Sequence, residues 1–152
     1  MAIALSGGST ANTSTISASP TGARTVTVPD VSFTMAGVDT PQTYTSGQRG
    51  EITTLTDGAT ITPDFNDSNN FTVTLGGNRT LANPSNLVAG QSGSIFIVQD
   101  ATGSRTLSWG TYWDFASGAA PTLTTAANAV DRVDYIVRSS TSIQAVFTAN
   151  YS

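Results

Sequence analysis

The sequence predicts an all-β fold, an antiparallel β-sandwich of jelly-roll type carrying an extended N-terminal arm. Three observations point there. Thr and Ser together fill 44 of the 152 positions, and threonine favours the pleated, half-buried surface of a strand. Apolar and polar residues alternate with a period of two in several short stretches bounded by turn residues. No segment keeps a helical period; Ala126 to Asp131 offers one turn at most.

Taken in order, residues 1–23 are small and polar, from Ser6-Gly7-Gly8-Ser9-Thr10 to Ser17-Ala18-Ser19-Pro20. They have too little to bury to fold alone, so they read as a loose leader or as an arm ordered by a partner. Alternation begins at Arg24-Thr25-Val26-Thr27-Val28 and resumes at Val31-Ser32-Phe33-Thr34-Met35. After a turn-rich stretch from Gly37 to Gly50, Glu51–Leu55 and Ala59–Thr62 flank Asp57-Gly58, a hairpin dipeptide. Phe71, Val73 and Leu75 share one face of the next strand, which Gly76-Gly77 ends. Ile95-Phe96-Ile97-Val98 is apolar on both faces, as a central strand covered on both sides would be. Arg132–Arg138 and Ser142–Ala149 form a late pair joined by Ser139-Ser140-Thr141. The string Gly-x-Arg-Thr-[Leu/Val] occurs at Gly22, Gly77 and Gly103, with spacings of 55 and 26. Such unequal spacing argues for reused turn chemistry rather than a solenoid repeat.

Composition limits the chemistry. Histidine, cysteine and lysine are absent, which removes imidazole bases, thiol and amine nucleophiles and His/Cys metal sites. The expectation is a protein that is not an enzyme and uses no cofactor. A net charge of −4, with nine Asp and one Glu against six Arg, argues against nucleic acid as a partner. No apolar run is long enough to span a membrane, and the first residues lack a secretory leader's charged and apolar regions. With 38% hydrophobic and 11% charged residues, one chain has a lean core and weakly hydrated surfaces suited to lasting contact with copies of itself. One body, residues 51–152, with an attachment region at 1–50, follows from this pattern.

Two clusters are candidate sites. Trp109-Gly110-Thr111-Tyr112-Trp113-Asp114-Phe115 holds four of the twelve aromatics in seven residues. Exposed, Trp109, Tyr112, Trp113 and Phe115 would stack on sugar rings of a host-surface glycan while Asp114 accepts hydroxyl hydrogen bonds; buried, they would be core or subunit interface. Burial is the expected state. Asp131, Arg132, Asp134 and Arg138 form the second cluster, an expected charge network between subunits. On a strand Asp131 and Asp134 point to opposite faces, which does not suit paired-carboxylate glycoside hydrolysis. Asp64-Phe65-Asn66-Asp67-Ser68-Asn69-Asn70 lacks the Gly and distal Glu of a calcium loop and reads as a turn. No metal is expected.

From about Leu55 onward the chain resembles a β-rich module found at the C-termini of tailed-bacteriophage fibre and other virion-surface proteins. The resemblance rests on Leu55-Thr56-Asp57-Gly58-Ala59-Thr60-Ile61, on Val73 through Leu81, on Gln99 through Trp109 and on Ala119 through Asp131. It implies a virion structural protein, a homotrimer without enzymatic activity. Only about 50 residues precede the body, which suits a knob or decoration protein seated on the capsid, with residues 1–50 contacting the major capsid protein or another virion protein. The alternative is a short tail-fibre or spike module that binds host glycan. Either places the protein at the virion surface, on the capsid exterior or the tail.

Overall fold

The computed structural model describes residue 41 and residues 43–151. The arm at 1–23, the stretches Arg24–Val28 and Val31–Met35 and the first Gly-x-Arg-Thr string lie outside the described residues. The chain divides into two units, Met1–Tyr44 and Thr45–Ser152, and every strand described belongs to the second.

Nine strands follow one another: β1 (Ile52–Thr54), β2 (Thr60–Ile61), β3 (Asn70–Leu75), β4 (Arg79–Leu81), β5 (Ser92–Gln99), β6 (Leu107–Trp109), β7 (Trp113–Phe115), β8 (Val130–Ser139) and β9 (Ser142–Thr148). A single 3₁₀ turn, Ala116–Gly118, is the only helical element among the described residues. The all-β class holds, with two sheets sharing one core. The larger sheet has the order β1-β3-β5-β8-β9-β7 and the smaller β2-β4-β6.

Strand direction departs from the uniformly antiparallel expectation. β1, β3 and β5 run parallel, as do β2, β4 and β6. The chain therefore passes from the larger sheet to the smaller and back, laying down three stacked coils before β8 and β9 close the sheet with antiparallel pairing. β7 joins the far edge parallel to β9. Parallel neighbours need a crossover, and here the second sheet supplies it. Asp57-Gly58 is accordingly a corner between sheets and not a hairpin; Gly58 lacks the positive φ that the tight hairpin turn needs.

The stacking also corrects the inference drawn from the recurring string. Coils are present among the described residues. The two described strings are nevertheless out of step, since Arg79 lies opposite Leu107 and not Arg105. Each is corner chemistry, used on coils that stack.

Alternation places the core. Phe71, Val73 and Leu75 of β3, Ile95 and Ile97 of β5 and Val133 and Val137 of β8 are all buried, facing Ile61 and Leu81 of the smaller sheet. Phe65, in the turn before β3, stacks on Phe71 and on Tyr135 with centroids 5.8 and 4.7 Å apart. Gly93 is required where β5 passes under that turn: a methyl group on it would collide with the Asn69 carbonyl, which already accepts the Tyr135 hydroxyl at 2.8 Å. β5 is central, but only its core face is covered. Ile95 and Ile97 are buried, while Phe96 and Val98 on the other face remain partly exposed. Among the described residues the expected covering on both sides is thus supplied on one side only.

Candidate functional site

The aromatic segment is not a loop. It is a strand, a turn and a second strand, β6 to β7, crossing from the smaller sheet to the larger. Period-2 geometry then puts Trp113 and Phe115 on one face and Asp114 on the other, while Trp109 packs on both aromatics. Trp113 points into the core, 6% exposed, with Nε1 donating to the Ala82 carbonyl at 3.1 Å. It meets Phe65 and Tyr135 edge-on, at centroid distances of 6.5 and 6.2 Å. Trp109 and Phe115 are half-buried and pack on each other at 4.8 Å; the Trp109 Nε1 is buried with no hydrogen-bond partner among the described residues. Tyr112 is half-buried too, its backbone N–H bound by the Asn83 side chain at 2.9 Å. Asp114 faces the other way, exposed, accepting from Ser142 Oγ at 2.6 Å. No sugar-sized platform with a carboxylate beside it results.

The four charged residues also separate. Asp131 is 1% exposed on the core side, accepting from the Thr124 backbone N–H and hydroxyl at 2.8 Å each and from the Asn150 backbone N–H at 2.9 Å. It ties the loop before β8 and the C-terminal tail to the sheet, and takes no part in a network with the arginines. Arg132, Asp134 and Arg138 lie on the opposite, outer face. There Arg132 pairs with Asp134 at 2.8 Å, Ser94 Oγ donates to the other oxygen of Asp134 at 2.6 Å, and the Tyr151 ring lies 4.8 Å from the guanidinium carbon. Arg138 stands exposed two residues beyond Ile136.

Two further Asp–Arg pairs brace the corners between sheets. Arg79 grips Asp57 through two hydrogen bonds of 2.8 and 2.6 Å, joining the second coil to the first. Arg105 grips Asp100 within the third, its closest contact 2.8 Å. In each pair the guanidinium's hydrogen bonds are the main cause holding the carboxyl below its ordinary value of 3.8. A lowered folded value means that the support these pairs give is present above 3.8 and is lost as pH falls through the folded value. Burial pushes the Tyr135 hydroxyl the other way, above its ordinary 10.0. Nothing local to sequence revealed the Asp57–Arg79 pair, whose partners are 22 residues apart.

The Asp64 segment is a turn. Asp64 accepts from the Asn66 backbone N–H at 2.9 Å and from the Asn86 side chain at 2.8 and 3.0 Å. Among the described residues no group of three acidic side chains is placed to hold a metal ion. Two shallow concavities lie among the described residues. One, beside β1 and β2, is lined by threonines with Asp57, Asp64 and Asp67; the other, beside β7 and β9, is apolar, with Phe115, Pro121 and Phe147.

The described geometry is that of a braced scaffold with one open sheet face. Comparison with known proteins agrees with a structural module: residues 60–141 match the family described as "Putative phage tail fibre C-terminal domain". No curated protein and no solved structure matches the chain.

Proposed function

Given that this chain belongs to the phage tail fibre C-terminal domain family, we propose that it is a non-enzymatic homotrimeric structural module of the bacteriophage tail. The family match over residues 60–141 carries this reading. It favours the tail over the capsid surface, because the knob or decoration reading expected first from the sequence rested only on the shortness of the segment before the body. Residues 1–50 are then the attachment to a neighbouring virion protein.

Structural work suits the chain's chemistry. Its buried carboxylate, Asp131, has its oxygens taken by Thr124 and Asn150, and Asp57 and Asp100 are held by arginines. These three described carboxylates are thus engaged in structural contacts, whereas glycoside hydrolysis needs two carboxyls facing each other across a cleft. A host-glycan contact through Trp109–Phe115 is the weaker alternative, since Trp113 lies inside the core. Incubating the purified chain with polysaccharide from the host envelope tests both points. No reducing ends should be released, and binding, where any occurs, should survive Asp114→Asn. Sustained release of reducing sugar would overturn the non-enzymatic reading.

A further inference from the structure

We propose that the outer face of the six-stranded sheet is the surface through which copies of this chain associate, with the Ser94–Asp134–Arg132–Tyr151 strip at its centre. The inference locates the trimer contact and so rests on the trimeric reading given above.

Register fixes which residues share this face. Asn70 stands opposite Ser94, which stands opposite Asp134, which stands opposite Val146. Thr72, Phe96, Arg132 and Thr148 form the next row, and Ser92, Ile136 and Gln144 another. Most positions of this face are polar, as on a solvated sheet face, but apolar side chains stand among them. Ile136 is 48% exposed, Val146 65% and Tyr151 51%, with Phe96 and Val98 partly open between them. Toward β1 the face turns to Thr54, Thr72 and Thr74, which supply hydroxyls without charge.

Charge decides the occupant. The chain as a whole carries −4, so two copies meeting at random repel. On this face Arg132 and Arg138 offset Asp134 and Asp114, and the strip neutralises its ions before any partner arrives. Arg132 is held on both sides, by the Asp134 carboxylate and the Tyr151 ring, so little further side-chain ordering is needed on contact. A neutral, aromatic- and Arg-bearing patch on an otherwise acidic body fits a second copy of itself. A strongly basic or acidic partner would find no complement.

Size agrees. Six strands spaced about 4.8 Å apart, rising about 3.3 Å per residue over six residues, span about 500 Å² in projection, and side-chain relief adds accessible area. A specific interface buries about 800 Å² per partner. The face is of the right order, and β5 and β8 at its middle are the longest strands.

The test is mass in solution at micromolar concentration for the full chain and for Ile136→Glu, Val146→Glu and a control, Thr102→Glu, placed at an exposed corner. Wild type and Thr102→Glu should sediment as trimers. The two face variants should dissociate by at least tenfold in apparent affinity, with far-UV dichroism unchanged. A trimeric wild type whose face variants stay trimeric overturns the location but leaves the trimeric reading intact. A monomeric wild type overturns both. Val146→Ser, too mild to unfold an exposed position, gives the same discrimination if a glutamate variant loses its fold.

Discussion

Trp113→Ala should lower the melting temperature by on the order of 10 °C, through loss of about 3–5 kcal/mol. The indole is 6% exposed and wedged edge-on against Phe65, Tyr135 and Trp109. Truncation removes that surface from the core and leaves a cavity between the two sheets, which β7 bridges by sequence. The Ala82 carbonyl also loses its donor. Trp113→Phe should keep most of the packing and cost less than half as much. Thermal unfolding followed by near-UV dichroism measures both. An alanine variant that melts with the wild type would mean that Trp113 spends its time outside the core and would revive the glycan reading of the aromatic segment.

Asp131→Ala should destabilise by about 2–4 kcal/mol, because it strands buried donors whose loss of a charged acceptor costs more than the carboxylate's own desolvation. The consequence is local before it is global. Thr124 N–H and Asn150 N–H lose their acceptor, so their hydrogen exchange should accelerate by tenfold or more beyond the rise seen for the amides of β3, which follow only the loss of global stability. Equal exchange at Thr124 in both proteins would remove Asp131 from its role as the tie between the pre-β8 loop, the sheet and the tail.

The core was largely legible because alternation reports burial directly. Phe71-Val73-Leu75 and Val133-Tyr135-Val137 can be assigned to faces from sequence, and those faces are buried. Strand direction was not legible, because parallel and antiparallel strands show the same alternation, and β1 to β3 pairing joins residues 18 apart with no local mark. Strands as short as β6 and β7 fall below any periodicity window, so Trp109–Phe115 resembled a loop with its side chains gathered. In fact the pleat sends Asp114 away from Trp113, while Trp109 packs on both Trp113 and Phe115. Asp131 and Arg132 looked like neighbours in a network because they are adjacent in sequence. Adjacency on a strand means opposite faces, and the donors that satisfy Asp131 come from Thr124 and Asn150, at distances along the chain that no motif encodes.

Phe96 and Val98 show the opposite situation, in which the sequence carried information that the described residues leave unused. An apolar residue at both faces of β5 predicts cover on both sides, and the fold provides one. The second side is where association with other copies would place it.

The role in the particle is tested most directly by locating the chain in it. Gold-labelled antibody raised against residues 51–152 should decorate the tails of intact particles, in numbers that are multiples of three per site. Label spread over the capsid shell with bare tails would contradict the tail reading and return the protein to the capsid surface.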